Sequence, residues 1–98
     1  MKKVYGILVY KPRNPLKWLF NDRKVEKIAE KHKGLIGFIK IKNGIRVLYE
    51  TEEAKRNVCT LFRYHGYECD IGAETFITDD NYYWFKQYGE RIKRWLYG

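Results

Sequence analysis

The residues with the clearest potential for chemistry lie around Asn43-Gly44, a pair that strongly favours a two-residue β-turn. A turn at this pair would align Lys40 with Val47. The same register would align Phe38 with Tyr49. Aromatic and cationic side chains would then share one face of a hairpin. Aromatic rings stack on nucleobases and lysines bind phosphates, as in sheets that recognise single-stranded RNA. The sequence therefore predicts a nucleic-acid platform on this face.

Cationic and aromatic side chains elsewhere in the chain complete the predicted contact set for an anionic partner. Together with the hairpin residues, this set comprises Arg13, Lys17, Trp18, Phe38, Lys40, Lys42, Tyr49, Arg91 and Arg94. The hairpin lacks the glycine and aromatic signature of the RNA recognition motif. The prediction therefore depends on residue type and on strand alternation.

An alternative arrangement makes the same hairpin aromatics part of the core. The last predicted helix carries an apolar stripe that needs an apolar surface, and it could cover the face with Phe38 and Tyr49. In that case Lys40 and Lys42 would only extend past the margin of the covered face. In both arrangements, the two preceding amphipathic helices are expected to meet the opposite hairpin face, which carries Ile39, Ile41, Arg46 and Leu48.

Motifs for enzyme chemistry are missing from the sequence. The chain contains no serine, no glycine-rich phosphate loop and no HExxH motif. His32 and His65 each stand just before a predicted helix stop, where an imidazolium interacts favourably with the helix dipole. Cys59 and Cys69 form no CxxC pair and make a poor zinc set with the two histidines. We therefore expect a protein without catalytic residues, metal, cofactor or disulfide.

The elements that must position the platform follow from hydrophobic periodicity. Residues 4–10 predict a central strand, because both of their alternating faces are apolar or aromatic. A short helical turn is expected at 16–20, followed by an amphipathic helix that is capped by Asn21 or Asp22 and stops at Gly34. Strands at 35–42 and 45–50 then flank the predicted turn.

The second half of the chain predicts two more helices and one strand. Thr51 is the expected N-cap of a helix that ends before Gly66. A strand follows at 67–71 and could extend over 75–78. Asp79 or Asp80 then caps a last helix whose apolar stripe would contain Phe85, Tyr88, Ile92, Trp95 and Leu96.

This order of elements predicts an α+β, ferredoxin-like βαββαβ fold: an antiparallel sheet with two helices on one face and an appended C-terminal helix. With 98 residues, positions 1–98 suit a single domain. The order is similar to that of the small CRISPR-adaptation nucleases, which place a metal-binding aspartate at the end of their first strand. In this chain the corresponding residues are Tyr10-Lys11-Pro12, without an aspartate. The resemblance is therefore limited to topology and does not imply the activity of those nucleases.

The distribution of charge indicates what kind of partner to expect. The net charge is +8, and residues 1–46 contribute +10, residues 47–80 contribute −5 and residues 81–98 contribute +3. Such polarity steers an anionic partner to one side of a domain. The sequence therefore predicts a non-enzymatic interaction protein whose basic face binds an anionic macromolecule, most readily nucleic acid or a nucleoprotein complex.

Two other functions remain compatible with the sequence. One is an inhibitor of the phage or mobile-element type, such as an anti-CRISPR protein, that binds a host protein complex; the short, motif-free chain rich in Lys, Tyr and Ile is similar in character to such proteins. The other is a sensor for a small anionic ligand. No apolar run is long enough to span a membrane, so a cytoplasmic address is expected, while the oligomeric state stays open.

Overall fold

A computed structural model, which describes residues 2–11, 15–71, 75–88 and 95–97, is α+β with an antiparallel sheet and three helices. The helices are α1 (Pro15–Glu30), α2 (Glu52–Tyr64) and α3 (Asp79–Tyr88). The strands are β1 (Lys2–Tyr10), β2 (Leu35–Ile41), β3 (Gly44–Tyr49), β4 (Cys69–Asp70), β5 (Thr75–Ile77) and β6 (Trp95–Tyr97).

The sheet has the strand order β4-β1-β3-β2-β6, and β5 pairs with the N-terminal end of β1. All of these pairings are antiparallel except β2 with β6, which is parallel. The predicted strand after α2 is thus two short strands. The first pairs with Leu8 and Val9, and the second pairs with the stretch from Lys2 to Val4. β1 has partners on both sides, as the sequence predicts, although β3 and not β1 occupies the middle of the strand order.

Two apolar layers form the core, one on each face of the sheet. Helices α1 and α2 cover the first face, where their side chains pack on residues from the three long strands: Ile7, Val9, Phe38, Ile45, Val47 and Tyr49. Helix α3 covers part of the second face, where Phe85 packs on Val4, Ile36, Leu48 and Ile77. Because both faces of β1 are apolar, the strand can be covered on both sides.

The two faces of the β2–β3 hairpin are exchanged relative to the sequence prediction. Alternation correctly groups Phe38, Lys40 and Val47, but this group faces α1 and α2. The opposite face, which was expected to meet those helices, instead packs against α3 through Leu48, with Ile39 at its margin, and leaves Arg46 exposed. Both faces carry enough apolar side chains to be covered, so alternation alone does not distinguish them.

The hairpin turn also differs from the predicted one. Gly44 pairs with Ile41, so the turn consists of Lys42 and Asn43. Both turn residues and Gly44 lack positive φ angles, which excludes a type I′ turn at Asn43-Gly44. Relative to the prediction, the register moves by two residues. A shift of two leaves every side chain on its face, because the side-chain period of a strand is two.

The neighbouring strand β1 explains why Gly44 belongs to β3. Gly44 lies opposite Tyr10 of β1, and the backbone N–H of Lys11 donates a hydrogen bond to the carbonyl of Asn43 at 2.7 Å. A Cβ atom on Gly44 would lie 2.1 Å from the carbonyl oxygen of Val9. Glycine is therefore required here by the close approach of β1 and not by turn conformation.

Helix α1 is longer than the sequence predicts, because the two expected helical segments join into one. Pro15 is its first residue, in the position that proline favours. Asn21 and Asp22, predicted as alternative caps of a second helix, lie inside α1. Gly34 has the predicted left-handed conformation, with a φ of 89°, but α1 already ends at Glu30, so a turn separates the helix from this glycine.

The last helix is shorter than predicted, and part of its expected apolar stripe is a strand. Helix α3 ends at Tyr88, and Trp95 and Leu96 belong to β6. Phe85 is fully buried, as predicted, whereas Ile92 lies outside the described residues. Strand β6 pairs with the outer edge of β2 and satisfies backbone groups that an uncovered edge would expose.

Replacing Thr51 with alanine should lower the free energy of unfolding by about 1 kcal/mol. The Thr51 hydroxyl accepts a hydrogen bond from the backbone N–H of Ala54 at 3.2 Å, which confirms the predicted N-cap of α2. Thr60 is a matched control, because its exposed hydroxyl donates to the Arg56 carbonyl within the same helix. Urea unfolding of both alanine variants measures the difference. Equal losses would show that the cap contributes nothing specific.

Candidate nucleic-acid interface

The two aromatic rings of the predicted platform lie in the core beneath α1 and α2. Phe38 and Tyr49 are both fully buried. The Tyr49 hydroxyl donates a hydrogen bond to the carbonyl of Ala29 at 2.6 Å, and the His32 ring packs edge-on against the Tyr49 ring. A buried ring has no open surface on which a nucleobase can stack. Phe38 and Tyr49 are therefore core residues, the alternative that the sequence left open, and the helices that cover them are α1 and α2, not the last helix.

Lys40, also predicted to bind phosphate, is engaged within the domain. Its ammonium lies 2.7 Å from a carboxylate oxygen of Asp22 on α1, and both side chains are about one-third exposed. The other carboxylate oxygen of Asp22 is buried and has no hydrogen-bond partner in the structure. The pair ties β2 to α1, so Lys40 is less available to a ligand than a solvated lysine. Lys42, in the hairpin turn, is exposed.

The remaining predicted contacts are not brought together by the described residues. Lys17 and Trp18 lie on α1, where only their backbone is described. Arg13, Arg91 and Arg94 lie outside the described residues. Their predicted roles in binding are therefore untested.

A group of exposed cations in the described part of the chain lies on and directly after α1. Three exposed cationic side chains lie along its outer side and a fourth lies directly after its last residue: Arg23, Lys24, Lys27 and Lys31. We call them the α1 basic surface. None of the four forms an ion pair within the described ranges. Glu30 is the exposed acid among them, and it has an interaction of its own.

Helical geometry explains why these cations form one surface. Lys24, Lys27 and Lys31 are spaced by three and four residues, which places them on neighbouring turns of the same helix side. Arg23 lies four residues before Lys27. The opposite side of α1 buries Val25, Ile28 and Ala29 against the sheet. The amphipathic pattern that predicts the helix thus also contains this surface, although the predicted contact set includes none of its four residues.

Two other groups of ionisable side chains lie close together in the described residues. On the second sheet face, the Tyr10 hydroxyl donates a hydrogen bond to the Asp70 carboxylate, and this bond is the main reason that the pKa of Tyr10 is raised. In the core, the sulfur atoms of Cys59 and Cys69 are 3.2 Å apart. Among the described residues, no three His, Cys, Asp or Glu side chains come together as a metal site would require.

The described helices also bear on membrane association. None of them combines the length and the apolar character that crossing a bilayer would require.

Comparisons with known proteins add no functional assignment. No family model matches the chain, and neither the curated proteins nor the solved structures contain a match. What the domain binds must therefore be inferred from its own surface chemistry.

Proposed function

We propose that this domain is a non-enzymatic cytoplasmic protein that binds an anionic macromolecule, nucleic acid or a nucleoprotein complex, through the α1 basic surface. The observation that supports this function is the group of four exposed cations without ion-pair partners among the described residues. Unpaired cations along one helix side attract a polyanion and gain affinity by releasing its counterions. Lys42 at the hairpin turn adds a further exposed cation.

We further propose that the scaffold is a ferredoxin-like domain with additions. The strand order β4-β1-β3-β2 and the two helices on one face support this classification. Strands β5 and β6 and helix α3 are then elements added to it. This scaffold presents the outer side of α1 to solvent, because the inner side packs on the sheet.

The Lys24→Glu/Lys27→Glu double variant tests the proposed function. On single-stranded nucleic acid, each lost phosphate contact reduces the log-log salt slope by about 0.7, so the slope should fall by about 1.4. Affinity at low salt should fall by at least about tenfold, because two attractions become repulsions. Fluorescence anisotropy of a labelled oligonucleotide at several salt concentrations measures both quantities.

Two controls distinguish a contact from a loss of folding or of net charge. Lys27→Glu and Arg56→Glu each change the charge by two on an exposed helical position, but Arg56 lies on α2, where it pairs with Glu52 at 3.1 Å. Only the α1 variant should weaken binding strongly. Melting temperatures should be nearly unchanged, since exposed substitutions rarely exceed about 0.5 kcal/mol. Equal losses from the two variants would contradict a specific role for α1.

A protein-binding inhibitor is the second candidate function, and exposed aromatic residues favour it. Tyr64 at the end of α2 is 83% exposed, and Tyr83 on α3 is 70% exposed. Tyrosine is enriched at protein interfaces because its ring is large and its hydroxyl tolerates water. If the wild-type domain binds no nucleic acid even at low salt, this function takes the place of the first. Loss of a host complex on Tyr64→Ala, with the fold intact, would support it.

A further inference from the structure

The two cysteines of the chain meet in the core, where helix α2 packs on strand β4. Cys59 on α2 is 1% exposed, and Cys69 on β4 is 6% exposed. Their sulfur atoms are 3.2 Å apart, and both are free thiols. The Cys69 sulfur also lies 3.6 Å from the backbone carbonyl oxygen of Cys59. Two thiols this close need only a small movement to reach the bond length of a disulfide, about 2.05 Å.

The two elements that carry the thiols differ in how firmly they are held. Cys59 lies within the 13-residue helix α2, which packs on the sheet. Cys69 lies in β4, a strand of two residues at the edge of the sheet, where it pairs with Val9. The Arg63 guanidinium adds a hydrogen bond to the Cys69 carbonyl at 3.2 Å. Short edge elements open locally at a lower free energy than a packed helix, so β4 is the side that moves.

We propose that Cys59 and Cys69 form a redox lock, a reversible disulfide that joins α2 to β4 when the protein is exposed to a peroxide. The reduced pair is the resting form. The lock contains no residue of the α1 basic surface, so it goes beyond the proposed function. It adds a means of regulation, because a covalent bond between α2 and β4 fixes an edge strand that is otherwise held by two residue pairs with β1.

The chemistry of the lock follows from ordinary thiol oxidation. The Cys69 thiolate attacks one oxygen of hydrogen peroxide, the O–O bond breaks, and hydroxide leaves, so that the sulfur becomes a sulfenic acid. The Cys59 sulfur then attacks the Cys69 sulfur, and the S–O bond breaks as water leaves. In total, the two thiols lose two protons and two electrons, and the peroxide is reduced to two water molecules. A small dithiol reverses the reaction by thiol–disulfide exchange.

The environment of Cys69 explains why the reduced form is the resting one. Burial, followed by the hydrogen bond with Cys59, raises the pKa of Cys69 to about 12, while the nearby Arg63 acts in the opposite direction. Only the thiolate attacks a peroxide, so the closed fold protects the pair. Local opening of β4 exposes Cys69 to solvent and allows the first step. The pair therefore responds to sustained oxidation and not to a brief exposure.

Treatment of the purified wild-type protein with hydrogen peroxide, followed by intact mass spectrometry, tests the lock. We expect a monomer that is about 2 Da lighter, has no reactive thiol in denaturant and recovers both thiols with dithiothreitol. The oxidised monomer should melt about 10 °C higher, because the bond restrains the unfolded chain. Amide hydrogen exchange in β4 should slow at least about tenfold, since the strand no longer opens freely.

Two variants and a peptide map exclude other oxidation products. Cys59→Ala and Cys69→Ala should each lack the lighter monomer, and neither should gain stability on oxidation. Lys24→Glu/Lys27→Glu should oxidise like the wild type, because its substitutions lie on α1. Tryptic peptides of the oxidised wild type should be joined through Cys59 and Cys69. The lock is refuted if both thiols survive peroxide, if the products are only sulfinic acids or disulfide-linked dimers, or if the disulfide forms without raising the melting temperature.

Discussion

Replacing Phe38 with alanine is expected to lower the free energy of unfolding by about 3 to 5 kcal/mol. The Phe38 ring is fully buried between the sheet and the helices α1 and α2, and it belongs to the larger of the two apolar clusters. Its removal loses the transfer free energy of the ring and leaves a cavity in a densely packed region. Urea unfolding monitored by circular dichroism measures the loss directly.

Phe76→Ala is the matched control for this prediction. It deletes the same ring from a site that is 52% exposed, so the expected change is within about 0.5 kcal/mol. If Phe38→Ala were as mild as Phe76→Ala, Phe38 would not be a core residue, and the hairpin platform would again be the better candidate for the interface.

Alkylation of Cys69 in the native protein should be about a thousandfold slower than that of an unperturbed thiol. Burial, followed by the hydrogen bond with Cys59, raises the pKa of Cys69 from 9.0 to about 12. Each unit of that increase reduces the reactive thiolate about tenfold at neutral pH. Iodoacetamide labelling followed by peptide mass spectrometry reports each cysteine separately. Rapid labelling of native Cys69 would show that the thiol is accessible and its pKa close to normal.

The same experiment in denaturant tests the prediction that the chain lacks a disulfide. Without reductant, both Cys59 and Cys69 should then react quickly. The two sulfur atoms lie 3.2 Å apart in the core as free thiols, so the proximity alone does not require a covalent bond. Failure of both to react in denaturant, with recovery after reduction, would show that they are joined.

The raised pKa of Cys69 also predicts how stability changes with pH. A group whose pKa is higher in the folded state binds its proton more tightly there, so folding is favoured while the group stays protonated. This contribution is fully present below about pH 9 and is lost as the pH rises toward 12. The stability advantage of the wild type over Cys69→Ala should therefore shrink in this range. An advantage that stays constant up to pH 12 would contradict the shift.

Short-range signals in the sequence were sufficient for most of the secondary structure. Thr51 caps α2 through a contact three residues away, and Gly34 adopts the left-handed backbone conformation predicted for it. The periodicity of α2 likewise reports which of its side chains face the sheet. These features depend on neighbours within one or two helical turns, so a single sequence contains them in full.

The position of the binding chemistry depended on contacts between distant residues. Alternation grouped Phe38, Lys40 and Val47 correctly, but whether helices or solvent cover that group follows from where α1 and α2 pack. Lys40 is held by Asp22, which is 18 residues away in the chain. The Asn43-Gly44 pair has a strong local preference for the turn, yet the pairing of Gly44 with β1 overrides it.

Lys55 illustrates the same limit from the other side. Helical periodicity places it on the same side of α2 as Val58 and Phe62, but its charge and the acidic stretch around it are typical of a surface lysine. The packing of α2 on β1 buries the side chain and brings its ammonium to 5.6 Å from the centroid of the Tyr5 ring. The free energy of such a long-range contact depends on several elements at once, so no local pattern of residue types contains it.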